Sequence, residues 1–125
     1  VSIASNDTIA VAAWSGASTS YGIWSSTNGT TWTKRASINS LGARVQYVND
    51  RFFWGGESGQ VRYSTNGTTW TSVSSQLTDF VTGFAWNGSV YAAVDRGGRI
   101  MSSPDGITWT LRASGLVGQL ALAYL

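Results

Sequence analysis

The heptapeptide Ser64-Thr65-Asn66-Gly67-Thr68-Thr69-Trp70 decides the fold, because it recurs along the chain with small changes. One copy begins at Ser26 and another begins at Ser103. In the copy at Ser103, Pro104 replaces the first Thr, Asp105 replaces Asn and Ile107 replaces the second Thr. The closing tryptophans of the three copies are 38 and 39 residues apart. A period of roughly 40 residues is typical of a four-stranded unit in a repetitive β-protein. The spacing therefore predicts three copies of one structural unit.

A second marker keeps the same register as the heptapeptide. Asn49-Asp50 and Asn87-Gly88 each begin 17 residues after the preceding heptapeptide tryptophan, and Asn6-Asp7 is the first copy of this marker. Asn, Asp and Gly tolerate the positive φ angles that tight β-hairpins require. We therefore expect each marker to join the first two strands of a unit.

Strand-forming segments lie between these turns. In the second unit the pattern predicts four antiparallel strands and a Gly-containing turn at 56–59; the strands are 44–48, 51–55, 60–64 and 69–74. The chain is thus expected to be a single all-β domain over 1–125, with units at about 1–37, 44–75 and 82–114 and an extra first strand at 119–125. The first unit carries a longer Ser/Gly-rich loop at 14–22.

The second strand of each unit is apolar at consecutive positions. These strands are 9–13, 52–54 and 90–94, and none alternates as a strand with one wet face would. We therefore expect sheets covered on both faces and stacked around an axis, which is the architecture of a β-propeller. Three stacked sheets would leave two apolar terminal faces open.

The composition excludes several classes of function. The 125 residues contain no Cys and no His, which removes disulfides, thiolate nucleophiles, imidazole bases and the usual zinc ligands. The net charge is +2 and basic residues are not clustered, so nucleic-acid binding is not expected. Apolar runs are too short for a membrane helix. No cofactor and no metal site are predicted.

The three heptapeptides resemble the Asp box, or BNR repeat, found in β-propellers of sialidases and of phage and bacterial surface proteins. Asn28 and Asn66 stand where that family usually has Asp, while Asp105 keeps the acid. The resemblance implies structural roles for these positions, in which the Asx side chain and the glycine shape a turn and the tryptophan packs on the sheet. The positions are Ser26, Asn28, Gly29 and Trp32; Ser64, Asn66, Gly67 and Trp70; and Ser103, Asp105, Gly106 and Trp109.

Propellers usually contain roughly four to eight blades, so three blades do not close a ring. Two copies joined head to tail would give six blades, a common number in the family that the heptapeptides resemble, and this dimer is therefore favoured. The alternative is that the chain is a fragment of a larger propeller. Because 120–125 repeats the first-strand pattern, one terminal strand could also be exchanged between neighbours. A homo-oligomer formed through open blade faces is therefore expected.

The family resemblance also raises the hypothesis that the chain catalyses sialidase-type hydrolysis. That chemistry uses three arginines, a Tyr/Glu nucleophilic pair and an Asp acid. Here Glu57 is the only Glu, and Asp7, Asp50 and Asp105 belong to the turns. No carboxylate pair with an acid/base role is evident, so we expect no enzyme activity and no catalytic residues.

A non-catalytic structural or interaction module of a surface or virion-type protein is therefore the predicted function, with an extracellular, virion-surface or cell-surface location. The alternative is a lectin that binds a glycan or cell-surface ligand between blades, by aromatic stacking and by hydrogen bonds from charged groups. Its candidate residues are Trp14, Trp24, Glu57, Arg62 and Arg99. These positions vary between the units, which favours packing or solvated surface roles for them.

Overall fold

In the computed structural model, residues 2–14 and 21–114 are described, and they form three four-stranded antiparallel sheets. Sheet 1 contains β1 (Ser2–Ser5), β2 (Ala10–Trp14), β3 (Gly22–Ser26) and β4 (Thr33–Ala36). Sheet 2 contains β5 (Arg44–Val48), β6 (Arg51–Gly55), β7 (Val61–Ser64) and β8 (Thr71–Ser72). Sheet 3 contains β9 (Val81–Trp86), β10 (Tyr91–Asp95), β11 (Ile100–Ser103) and β12 (Thr110–Ala113).

Each sheet is a meander in which strands consecutive in sequence are paired. The predicted hairpin markers join the first two strands, and Asn49 and Asp50 adopt φ angles of 48° and 60°. The marker side chains also organise the turn, because Asn87 Oδ1 accepts hydrogen bonds from the backbone amides of Ser89 and Val90. Short turns of this kind explain why neighbouring strands pair in sequence order.

The heptapeptides form the turn between the third and fourth strands of every sheet. In sheet 2, Asn66 Oδ1 accepts hydrogen bonds from the amides of Thr68 and Thr69 at 2.9 Å. The Ser64 hydroxyl accepts the amide of Gly67, whose φ angle is 79°. The Trp70 indole N–H donates to the Gly67 carbonyl. The other two copies make the same contacts, so the repeated residues build one repeated turn.

The apolar core consists of two clusters, one on each face of sheet 2. Phe52 and Trp54 of β6 point toward sheet 1, whereas Phe53, between them in sequence, points toward sheet 3. Successive side chains of a strand point to opposite faces, so a strand that packs between two apolar layers is apolar at consecutive positions where it meets them. The prediction of two-sided burial is therefore confirmed for β6 and also for β10, but not for β2, where Ala10 and Ala12 are only half-buried.

The first strands of the three sheets lie next to one another and are bridged by polar side chains. The Ser2 hydroxyl donates to the Val45 carbonyl and accepts the Val45 amide. The Gln46 carboxamide makes the same pair of bonds to Phe84, accepting its amide at 2.8 Å and donating to its carbonyl at 3.4 Å. These bonds satisfy edge-strand groups that would otherwise be exposed or available for other pairing.

Several predicted boundaries need correction. The fourth strand of sheet 2 was expected over 69–74 but is only Thr71–Ser72, because Thr69 lies within the hydrogen-bonded turn. The third strand begins at Val61, since a short 3-10 helix at Glu57–Gly59 occupies the predicted turn. The second strand of sheet 1 is Ala10–Trp14 rather than 9–13. The extra strand at 119–125 and most of the loop at 14–22 lie outside the described residues.

Candidate interaction face

The face of sheet 1 that points away from sheet 2 carries a row of side chains across all four strands, apolar on the first three and cationic on the fourth. Cross-strand pairing places Ile3 opposite Ala12, Ala12 opposite Trp24, and Trp24 opposite Lys34. Paired residues of antiparallel strands share a face, so these four side chains form one row. By alternation Trp14 lies on the same face as Ala12. We call this surface the sheet 1 outer face.

The register of the other sheets identifies the residues equivalent to this row. Val45 pairs with Trp54 in sheet 2 and Phe84 pairs with Ala93 in sheet 3, as Ile3 pairs with Ala12 in sheet 1. Val45 and Phe84 are 3% and 2% exposed, because each packs against the preceding sheet, whereas Ile3 is 65% exposed. The sheet 1 outer face thus has the residues of a sheet interface, but neither of the other two described sheets packs against it.

The heptapeptide glycines of sheets 2 and 3 also lie close to the preceding sheet, whereas that of sheet 1 has no such neighbour among the described residues. A β-carbon at Gly67 would lie 3.1 Å from Ile9 Cγ2, and one at Gly106 would lie 3.1 Å from Phe53 Cζ. The turns of sheets 2 and 3 therefore press against the preceding sheet. At Gly29, the equivalent position in sheet 1, no described atom lies within 4 Å.

The tryptophans that close these turns are not equally covered. Trp109 is buried, whereas Trp70 and Trp32 are only partly buried. The expectation that all three pack on their sheets therefore holds most fully for sheet 3. Since the indole N–H makes the same bond in each turn, the difference reflects what surrounds the turn and not its own geometry.

An aromatic and cationic rim borders the outer face. The Lys34 ammonium lies 6.0 Å from the ring centre of Trp24 and 5.8 Å from that of Tyr21. Cations attract the faces of aromatic rings, so this arrangement holds the Lys34 side chain along the fourth strand. Along the row, the outer face thus carries aliphatic side chains on β1 and β2, the Trp24 ring on β3 and the Lys34 ammonium on β4.

The opposite terminal face, on sheet 3, differs from the sheet 1 outer face. Ala92 and Val94 on β10 point away from sheet 2 by alternation, yet they are only 2% and 1% exposed. The expectation of two open apolar faces therefore fits sheet 1, where large side chains are exposed, and does not fit these positions of sheet 3.

An open groove, lined by apolar residues and two arginines, lies where the loop ends of sheets 2 and 3 meet. Its volume is about 340 Å³, and its lining residues are Leu41, Gly42, Arg44, Phe80, Val81, Thr82 and Arg96. The Arg96 guanidinium stacks 4.4 Å from the Phe80 ring centre and lies 3.1 Å from the Asp79 carboxylate. The groove therefore presents two guanidinium groups, of which that of Arg96 is paired with Asp79.

Asp95 anchors the loops beside this groove. Its carboxylate is fully buried and accepts hydrogen bonds from the backbone amides of Thr78, Asp79 and Arg99. Burial acts to raise the pKa of Asp95, but the amide hydrogen bonds outweigh it and leave the pKa below its usual value. An ionised carboxylate so occupied serves to fix loop structure.

Only two of the five predicted ligand-binding residues share a surface. Trp14 and Trp24 lie on the sheet 1 outer face, whereas Arg62, paired with Trp54, faces sheet 1 from sheet 2. Glu57 lies in the 3-10 helix, and Arg99 follows the turn after β10, where its guanidinium donates to the Gln76 carbonyl. None of the five lines the groove.

Sequence reasoning missed Ile3, the most exposed large apolar residue of the outer face. Aligning the first strands on the Asn markers places Ile3 beside Gln46 and Phe84. Val45 becomes its equivalent only through the strand pairing, because the hairpin of sheet 2 is shorter than those of sheets 1 and 3. That alignment alone could not show which of the three lacks a neighbour.

The sequence matches no model of a known protein family, and it has no significant match among curated proteins. Within residues 2–14 and 21–114, no helix is long and apolar enough to cross a membrane. Over the same part of the chain, no group of three His, Cys, Asp or Glu side chains is placed to hold a metal ion.

Proposed function

We propose that the chain is a non-catalytic interaction module, made of three blades of an Asp-box β-propeller and assembled through its sheet 1 outer face. The observation that carries this proposal is the exposure of Ile3, whose equivalents Val45 and Phe84 are buried against a preceding sheet. A repeated interface with one unoccupied copy is what an incomplete ring of stacked sheets presents.

The polar chemistry of the repeats supports a structural role. The Asp105 carboxylate accepts hydrogen bonds from the amides of Thr108 and Ile107 and from the Ser103 hydroxyl. These bonds hold the pKa of Asp105 below its usual value, the bond from Thr108 contributing most. Together with Asp95, this residue is an ionised acceptor of backbone amides and therefore a poor general acid at neutral pH.

The ring is completed by further sheets of the same type. A second copy gives six sheets, within the usual range of about four to eight blades, and a longer propeller that contains this chain is the alternative. A module of this kind suits the surface of a cell or virion, because only 11% of the residues are charged and Ser, Thr, Asn, Gln and Gly supply most of the other residues suited to a surface. These assignments form part of the proposal.

Native mass spectrometry and sedimentation over a range of concentrations test the proposal. We expect species at about twice the 13.3 kDa of one chain, and we expect Ile3→Asp to lower the fraction associated because it places a charge at the interface. Ile107→Asp is the matched control, since Ile107 is also exposed but lies on the turn of sheet 3. A wild-type chain that stays monomeric at all concentrations would overturn the proposal.

The groove supports a second candidate, glycan binding. It combines an aromatic ring, Phe80, with the guanidinium groups of Arg44 and Arg96, which suits a sugar that carries a carboxylate. A glycan array would show binding that Arg44→Ala reduces and Arg112→Ala leaves unchanged, because Arg112 is bonded to Ser102 on sheet 3 outside the groove. Equal binding by both variants would remove this candidate.

A further inference from the structure

Three asparagines of the chain are followed by glycine, and each of these pairs lies in a turn. The asparagines are Asn28, Asn66 and Asn87, and all three are exposed. Asparagine before glycine can lose ammonia without an enzyme, because glycine has no side chain to hinder attack by its own backbone nitrogen on the neighbouring amide. The three turns differ in what that nitrogen is bonded to.

The side-chain carbonyl groups of the three asparagines have equivalent surroundings. Asn87 Oδ1 accepts hydrogen bonds from the backbone amides of Ser89 and Val90, both at 2.9 Å. Asn28 and Asn66 each accept the amides at the same two positions ahead. Two donors of this kind stabilise the negative charge that the oxygen gains when its carbon is attacked. Because all three sites have them, they do not favour one asparagine over another.

The backbone amides of the three glycines are bonded differently. The Gly29 N–H donates to the Ser26 hydroxyl and the Gly67 N–H donates to the Ser64 hydroxyl, both at 2.8 Å. The Gly88 N–H has no hydrogen-bond acceptor among the described residues, and a β-carbon added at Gly88 would meet no described atom within 4 Å. A nitrogen must lose its proton before it attacks a carbonyl carbon, and a hydrogen bond donated by that N–H opposes the loss. The Gly88 nitrogen is therefore the most reactive of the three.

We propose that Asn87 is a site of spontaneous modification, at which the side-chain amide becomes a carboxylate. The Gly88 nitrogen gives its proton to solvent and attacks Asn87 Cγ. As the new bond from nitrogen to Cγ forms, the bond from Cγ to the side-chain nitrogen breaks, and that nitrogen takes a proton from water and leaves as ammonia. A water molecule then opens the succinimide ring. Attack of water at Cγ gives aspartate, and attack at the backbone carbonyl carbon gives isoaspartate.

The two products fit the hairpin of sheet 3 differently. The Asp105 carboxylate accepts amides two and three residues ahead, as Asn87 does, so an aspartate at position 87 keeps the same bonds. Isoaspartate carries the backbone through the former side chain and lengthens it by a methylene group. The added length falls in the turn before Tyr91, whose hydroxyl donates to the Asn49 carbonyl of sheet 2. Isoaspartate therefore disturbs a contact between two sheets, whereas aspartate only adds a negative charge.

Peptide mapping by mass spectrometry, during incubation of the folded chain at mildly alkaline pH, tests the proposal. Release of one hydrogen bond changes a rate about tenfold, so we expect Asn87 to deamidate about tenfold faster than Asn28 and Asn66. In denaturant the three sites should react at similar rates, since each Asn-Gly pair is followed by Thr or Ser. Equal rates in the folded chain, or an Asn87 that stays unmodified, would overturn the proposal.

Ser64→Ala tests the physical reason for the difference. It removes the acceptor of the Gly67 N–H, so Asn66 should deamidate about tenfold faster than in the wild type. Asn28 is the internal control, because its own turn keeps Ser26. Ser26→Ala is the reciprocal variant and should accelerate Asn28 alone. If either variant accelerates both sites or neither, while circular dichroism shows a folded chain, the bond to serine does not set the rate and the inference fails.

Discussion

The Arg51 guanidinium lies 2.7 Å from the Asp105 carbonyl oxygen and so ties sheet 2 to the heptapeptide turn of sheet 3. The same guanidinium lies over the rings of Tyr63 and Tyr91, at 5.1 and 5.9 Å from their centres. Arg51 therefore joins a strand, a turn and two aromatic rings from two sheets. The backbone of the repeated turn therefore also makes a contact between sheets.

Arg51→Met should destabilise the chain by about 1 kcal/mol, because it keeps the aliphatic stem but removes the hydrogen bond and the cation–π contacts. The free energy of unfolding from urea titration measures this change. Arg112→Met is the control, since among the described residues Arg112 bonds within its own sheet, to Ser102, and a smaller loss is expected. Equal losses in the two variants would show that the Arg51 contact between sheets contributes nothing.

Gly67→Ala should cost more stability than Gly29→Ala. Both glycines have φ angles near 78°, so the backbone strain of alanine is the same, about 1 kcal/mol. At Gly67 the added β-carbon also presses on Ile9 and Val11, for about 1 kcal/mol more, whereas no described atom lies within 4 Å of one added at Gly29. Thermal unfolding of the two variants at a concentration where the chain is monomeric would measure the difference, and identical midpoints would contradict it.

Acid should destabilise the fold through Asp95 and Asp105. Both have a pKa below the usual value in the folded chain, so as the pH falls the unfolded chain takes up protons first. Their stabilising contribution is present above the ordinary carboxyl pKa of about 4 and is lost as the pH falls through the folded pKa values. Urea midpoints measured between about pH 7 and pH 2 should decline accordingly.

Asp105→Asn isolates one part of this acid dependence. Asn28 and Asn66 already occupy the same position and accept the same backbone amides, so the variant should keep its turn. The difference in stability between wild type and Asp105→Asn should shrink as the pH falls. A difference that is constant across the acid range would show that Asp105 makes no contribution linked to protons.

Trp54 presents a different test, because its buried indole N–H finds no acceptor among the described residues. Trp54→Phe keeps most of the ring and removes this unsatisfied donor, so its cost should be below about 2 kcal/mol. Trp54→Ala should cost about 3 to 5 kcal/mol by leaving a cavity between sheets 1 and 2. Urea unfolding of both variants gives the comparison. If Trp54→Phe were as unstable as Trp54→Ala, the indole N–H would have to donate a stabilising hydrogen bond in the folded chain.

The local structure was accessible from sequence because it depends on backbone angles and on side chains a few residues away. Asn-Asp at 49–50 predicted a hairpin with positive φ angles, and the heptapeptides predicted the repeated turn, since the Asx oxygen reaches amides only two and three residues ahead. The candidate site was predicted less well. Trp14 and Trp24 share a face, but Glu57, Arg62 and Arg99 lie elsewhere, because the units carry different residues at those positions.

By itself the sequence determined three repeated units of four strands, with their turns and with the all-apolar second strands of sheets 2 and 3. Tertiary structure alone decided that Ile3 is exposed while Val45 and Phe84 are buried, and that a β-carbon at Gly67 would meet Ile9 while one at Gly29 would meet no described atom. The physical reason is that burial depends on which sheet lies opposite a residue, and the same apolar side chain is compatible with an occupied face and with an empty one.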